Sequence, residues 1–348
     1  MEYLTDRQKV ILMLVIHDYV RNAVPVGSDH LVRHYHLDFS PATVRNEMAA
    51  LTDMGYLRQP HTSAGRVPSE EGYRYFVGRL QEDVDLPDST RQTISHQFYQ
   101  TRHDIDQWGR LAASVLAHQS KAASLVTAPL SETVRFKHLE LIATHGRQVL
   151  MVLVLGGGDV HQRVFALGEP VNQEQLSNVA NRLTKMLSAN DLDGVRRLAG
   201  AQPAGLEQDV LGWVIAIMER SSTPGFGAFY SDGLSNVLAE PEFASPEETR
   251  RALRVLEERS LLEELMTHTF ANHPNGVQVL IGGEGNWEEL KPFSVVLSQY
   301  GAPGLATGML GVLGPMRMAY GRTISAVRFL SALLSDMLSE TLGDDAMR

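Results

Sequence analysis

The segment from Ser40 to Pro68 constrains this chain more than any other. Ser40-Pro41 is a strong helix start. The hydroxyl can accept from a free N–H of the first turn, and proline at the first helical position has no N–H to leave unpaired. Val44, Met48 and Leu51 recur at helical spacing, and Gly55 after Met54 suits a left-handed stop. Tyr56–Pro60 then predicts a strand, His61–Gly65 a polar turn, and Arg66-Val67-Pro68 the returning strand.

The flanking residues place this helix and hairpin in a larger module. Thr5 caps a first helix that runs to about Val20, and Gln8 completes a capping box. Its expected buried residues are Val10, Ile11, Leu14 and Val15. A turn around Pro25 leads to a short helix from Ser28 to about Tyr35. Ser69 caps a fourth helix with Tyr73, Phe76, Val77 and Leu80 on one face. Three short helices followed by a two-stranded turn form a winged-helix layout, in which the third helix lies in the major groove of DNA.

The side chains suit that task. Ser40, Ala42, Thr43, Arg45, Asn46 and Ala49 form the expected outward face of the third helix. Arginine pairs bidentately with guanine and asparagine with adenine, and the short Ala42 and Ala49 allow close approach to the groove floor. At the hairpin, His61, Thr62 and Ser63 offer groups for phosphate oxygens, and Arg66 is a cation for a narrow minor groove. Between Met54 and Leu80, Arg58, Arg66, Arg74 and Arg79 outnumber Glu70 and Glu71. That local excess adds Arg74 to the candidate DNA contacts.

Charge limits how such a module works. The chain of 348 residues has a formal net charge of -10. Basic and acidic residues cancel over positions 1–80, so the rest of the chain carries the whole acidic excess. A neutral module attracts phosphate weakly. Placed contacts and pairing of two modules must then supply the affinity.

Downstream, Asp83–Asp88 reads as a linker. Helices are expected at Ser89–Gln100 and Asp104–Ser120, and strands at Phe136–Ala143, Val149–Leu155 and Val160–Leu167. Helical stripes follow from Asn172 to about Leu265. They comprise Leu176, Val179, Leu183 and Leu187, then Val210, Leu211, Val214, Ile215 and Met218. Strands resume at Val277–Ile281, Phe293–Gln299 and Thr307–Leu313, and a helix over Thr323–Leu338 closes the pattern. The order predicts an α+β fold interrupted by a mostly helical insertion.

Other chemistries find little support. The sequence has no cysteine, which removes thiolate zinc sites, iron–sulfur clusters and cysteine nucleophiles. His34-x-His36 lacks carboxylates at ligand spacing and reads as ordinary solvated or packed histidine. Gly156-Gly157-Gly158-Asp159 joins two strands rather than opening a helix, and Gly282-Gly283-Glu284-Gly285 reads as a turn. No Gly-x-Ser-x-Gly nucleophile turn occurs. No enzymatic activity, cofactor or metal is expected. The first residues lack a secretory pattern, and no apolar run approaches the twenty or so residues of a membrane span, so a cytoplasmic protein is expected.

Thr43-Val44-Arg45-Asn46-Glu47-Met48 with Leu51 and Gly55-Tyr56-Leu57 resembles the reading helix of the HrcA family of heat-inducible transcription repressors. Pro60 to Pro68, followed by Gly72-Tyr73-Arg74, is similar to that family's wing, with Ser69 where Thr is usual. Tyr230, Gly233, Pro241-Glu242-Phe243 and Gly314-Pro315-Met316-Arg317-Met318-Ala319-Tyr320 are similar to its C-terminal landmarks. The resemblance implies a repressor of chaperone operons that binds an inverted-repeat operator as a homodimer. It further implies dependence on the GroE chaperonin, so that heat titrates chaperonin away and lifts repression. The implied domains are a winged helix (1–82), a discontinuous GAF-like α+β domain (88–171 and 266–343) and an inserted dimerising domain (172–265). The alternative is a regulator whose GAF-like domain binds a small-molecule effector.

Overall fold

In the computed structural model the chain is described over residues 4–62, 64–80, 85–101, 104–131, 134–156, 159–203, 205–222, 227–272, 276–285, 287–302 and 306–346. Ser63 of the hairpin, Asp83 and Val84 of the predicted linker, and Gly157 and Gly158 lie outside the described residues. Helices and antiparallel sheets mix throughout, which makes the fold α+β. The chain divides into two compact units. The first comprises Met1–Ala128, Ala228–Tyr300 and Met309–Leu334; the second comprises Pro129–Gly227, Gly301–Gly308 and Ser335–Arg348.

The first unit begins with α1 (Asp6–Asn22), α2 (Ser28–Tyr35) and α3 (Pro41–Asp53). The hairpin β1 (Leu57–Arg58) and β2 (Val67–Pro68) follows, and α4 (Glu70–Leu80) ends the segment. Both bonds of the Thr5–Gln8 capping box are present. Ser40 caps α3 by accepting from the Thr43 N–H, with Pro41 in the first turn. Gly55 follows the helix at φ +84°. Ser69 Oγ accepts from the Gly72 N–H at 3.1 Å and donates to the Gly55 carbonyl at 2.5 Å, so one hydroxyl serves two helix ends.

The buried face of α1 differs from the expected one. Ile11, Leu12, Val15, Ile16 and Asp18 are buried, and Val10 is 48% exposed. The helix is apolar on more than half its circumference from Val10 to Ile16, so periodicity alone leaves its rotation open. Asp18 decides it: its Oδ1 accepts from Asn22 Nδ2 and bonds His30 Nε2 of α2 at 3.1 Å. A buried carboxylate needs such partners; Asn22 turns with the helix, and the His30 contact requires Asp18 to face α2.

The rest of this unit is built on a sheet in the order Phe229–Asp232, Ala123–Thr127, Ala306–Pro315, Phe293–Ala302, Val277–Ile281. Helix Ile105–Ser120 is anchored to it by Ser124 Oγ donating to the Ala113 carbonyl at 2.7 Å. The final helix, Tyr320–Ala346, is anchored through Tyr320 Oη and Ser294 Oγ at 2.6 Å. Two of these strands escape the sequence pattern. Ala123–Thr127 is buried on both faces, so it lacks alternation. Phe229–Asp232 has four residues and sits among helical stripes.

The second unit and the expected insertion span different residues. Sequence puts the insertion at 172–265; the second unit begins at Pro129 and its first segment ends at Gly227. Strands Phe136–Ala143, Gln148–Leu155 and Val160–Ala166 form its sheet. Phe136, Leu139, Leu141, Met151 and Leu153 share one core with Leu176, Val179, Leu183, Leu187, Val210 and Val214. A sheet face this apolar must be covered, and the amphipathic helices that follow it in sequence cover it. Helix Pro246–Glu257 and the first half of helix Arg259–Asn272, expected in the insertion, belong to the first unit.

Candidate nucleic-acid interface

Helix α3 packs Val44, Met48 and Leu51 inward and leaves Ala42, Arg45 and Asn46 exposed, with Thr43 and Ala49 half-buried. Full burial of each large apolar side chain stabilises by about 1.5–3 kcal/mol. The inward stripe therefore fixes which way Arg45 and Asn46 face. Glu47 lies between the two faces and pairs with Arg7 of α1 at 3.3 Å. Ser40 and Thr43 share a hydroxyl–hydroxyl bond of 2.9 Å at the exposed start of the helix.

The wing is held by backbone rather than by its short strands. Val26 and Arg66 exchange two N–H···O bonds of 2.8 Å, which ties the returning strand to the segment between α1 and α2. Gly65 permits this approach, because a Cβ there would overlap the Val26 carbonyl. Gln59 Nε2 donates to the carbonyls of Thr62 at 2.9 Å and Ala64 at 3.1 Å, which shapes the turn and leaves His61 and Thr62 exposed. Gly65→Val is expected to unseat the wing and to destabilise the unit by about 1–3 kcal/mol, the usual range for overpacking. Thermal melting with a proteolysis assay of the wing measures both. An unchanged melt with an intact wing would refute the crowding argument.

Between α3 and the wing lies a groove of about 350 Å³ whose lining includes Arg45, Met48, Gln59, Thr62 and Arg66. Sequence does not single out Gln59. Its signal is weak, a lone amide ahead of Pro60, and its role depends on a turn that closes only in three dimensions.

Two arginines stand elsewhere than expected. Arg66 is at the root of the wing, not its tip. Its Nε donates to Thr52 Oγ1 at 2.9 Å, and that hydroxyl donates to the Met48 carbonyl. Arg74 points away from the groove. It pairs with Glu71 at 2.6 Å, Glu70 at 3.2 Å and Glu284 at 3.7 Å, and donates to the Ile281 carbonyl at 3.3 Å. Burial alone would lower its pKa, but the three carboxylates outweigh burial and hold it above the usual value. Local charge counting could not see Glu284, which is far away in sequence.

His34 stacks on His30 at 5.2 Å, and no group of three or more potential metal ligands gathers among the described residues. Among these residues no helix is long and apolar enough to cross a membrane.

A helical head with an exposed Arg–Asn pair beside a hairpin, carried on a mixed α+β body, is the layout of a transcription regulator. Residues 106–324 match the family model described as HrcA protein C terminal domain. The chain is 44% identical over 347 residues to the heat-inducible transcription repressor HrcA of Roseiflexus castenholzii, covering 98% of this chain and 96% of that one. It is 41% identical over 342 residues to that of Thermomicrobium roseum, covering 98% and 97%. The chain belongs to the HrcA family of heat-inducible transcription repressors. A solved structure described as a hypothetical protein shares the fold, with a TM-score of 0.61, 21% identity, and coverage of 97% of this chain and 100% of that one.

Proposed function

We propose that the protein represses heat-shock operons in the cytoplasm by binding an inverted-repeat operator as a homodimer, and that it has no catalytic activity. The observation that carries this reading is α3, which presents Arg45 and Asn46 beside the wing groove. In it, Arg45 and Asn46 read bases, Ala42 and Ala49 allow close approach, and Ser40, Thr43, His61, Thr62, Ser63 and Arg66 hold the backbone or minor groove. Loss of the GroE chaperonin to heat-damaged proteins releases repression.

The pairing of two chains has support in the second unit. The outward face of its sheet carries the rows Ile142–Leu150–Val164 and His138–Val154–Val160, and between them Val152 stands flanked by Glu140 and Gln162. Ile142, Val160 and Val164 are 42%, 56% and 57% exposed. Exposed apolar side chains gathered on one sheet face, here beside the Leu150–Val152–Val154 run of the central strand, support its use as an interaction surface.

The test is selection of duplexes by the full-length protein from a random pool, followed by footprinting across a salt series with and without chaperonin. A protected inverted repeat, with protection strengthened by chaperonin, is expected. No protection under any condition would refute the reading.

A second reading rests on a cavity of about 470 Å³ in the first unit, between the sheet and helices Pro246–Glu257 and Arg259–Asn272. Leu125, Leu262, Met266, Val295 and Leu297 line it, with Asp232. It falls within the range of about 300–1,000 Å³ typical of small-molecule sites. An effector at a hundredfold excess over its Kd would add about 2.7 kcal/mol to folding stability. A metabolite thermal-shift screen is expected to find a stabiliser whose effect Leu265→Trp, which fills the cavity, abolishes. Equal stabilisation of the variant would place the ligand elsewhere.

A further inference from the structure

Two stretches resembling family landmarks, Pro241-Glu242-Phe243 and Gly314 to Tyr320, have no place in the groove. They converge instead behind the DNA-reading head. Arg317 is 11% exposed. Its Nε donates to Glu242 Oε1 at 2.6 Å, and its Nη2 reaches Glu242 Oε2 at 3.3 Å and pairs with Glu240. Its Nη1 donates to the Val20 carbonyl at 3.5 Å. Val20 lies in the last turn of α1, where carbonyls lack helical partners and the helix dipole favours a cation. Burial alone would lower the Arg317 pKa, but Glu242 and Glu240 outweigh it and hold the group above its usual value.

Helix α4 is fastened nearby. The Tyr73 ring lies 5.9 Å from that of Tyr320, whose hydroxyl donates to the Met316 carbonyl at 2.7 Å. Arg74 reaches the Ile281 carbonyl and Glu284. Gly282, at φ +67°, brings the same turn against Glu70, where a Cβ would strike the carboxylate. The head is thus held at α1 and at α4, and two attachments on different helices leave a rigid module little freedom to turn.

These contacts favour geometry over stability. A buried ion pair about breaks even against an apolar replacement, and its best-attested use is to fix registry. Among the described residues the buried Tyr73 hydroxyl has no hydrogen-bond partner, which lowers the junction's contribution to stability further. Geometry is what a two-fold reader of an inverted repeat requires. Half-sites repeat at a fixed helical spacing, and the second head gains affinity only if it already points at its half-site.

We propose that Arg317, clamped by Glu240 and Glu242, is a positioning residue that sets the direction in which α3 faces. This rests on the DNA-binding reading above. Arg317→Met is expected to lower affinity for a selected full inverted repeat at least tenfold, while a single half-site duplex binds within twofold of wild type. Arg317→Lys should recover only part of the loss, since an ammonium cannot make the planar, forked contacts. If Arg317→Met does not fold, as judged by circular dichroism, Glu240→Gln with Glu242→Gln replaces it.

Because the sequence has no cysteine, Arg33→Cys on α2 and His96→Cys on helix Asp88–Gln100 can carry spin labels without background. Diluted into unlabelled protein, they report the head-to-body distance within one chain. A narrow distribution that broadens in the Arg317 variant supports the proposal even if neither duplex is bound, an outcome that would count against the DNA-binding reading alone. An unchanged distribution, or equal loss on half-site and full site, overturns it.

Discussion

Leu150→Glu is expected to split the proposed homodimer into monomers and to weaken binding to an inverted repeat by about a hundredfold, the lower range of avidity effects. Leu150 sits in the central strand of the second unit's sheet, opposite Ile142 on one side and Val164 on the other. Its neighbour Met151 points into the core, so the substitution falls on the outer face and spares the packing beneath. In a monomer the glutamate is solvated at little cost. In an interface it would lose water without gaining a partner, which is expensive for an ionised carboxylate. Sedimentation velocity with circular dichroism checks the outcome. A variant that remains dimeric would remove this face as the pairing surface.

Arg45→Ala is the second large effect, expected at about 1–3 kcal/mol of operator affinity with discrimination lost at one base pair. Arg45 is exposed on α3 and lines the groove beside the wing, so its removal leaves no buried partner unsatisfied. Stability should therefore hold while selectivity falls. Binding to duplexes varied one position at a time separates base reading from phosphate contact, because loss of a phosphate contact weakens all sequences alike. Asn46→Ala should relax a different position. If Arg45→Ala weakened every duplex equally, Arg45 would be a backbone contact.

The arginines of the head differ in where their partners lie. Arg45 lies on a helix whose inward stripe is written in consecutive turns, so its exposure follows from Val44, Met48 and Leu51. Arg66 and Arg74 have the same chemistry, but their partners come from other elements. Thr52 Oγ1 and the Val26 backbone hold Arg66, and Glu284 and Ile281 hold Arg74. The same limit applies to the outward sheet face. Each strand can be recognised by itself, yet the patch exists only because three strands align Ile142, Leu150 and Val164 in register.

The local structure of the segment from Ser40 to Pro68 is written in its own residues. Ser40 caps, Pro41 starts, Gly55 stops, and the hairpin follows, because these depend on hydrogen bonds and backbone freedom within a few residues. The tertiary structure settled which helices cover which sheet, and it groups Pro129–Gly227 within the second unit. It also decided that Arg317 meets Glu242 and the end of α1, across 75 and 297 residues of sequence. Burial and ion pairing act between surfaces that come together only on folding, and a linear pattern carries no record of which surfaces those are.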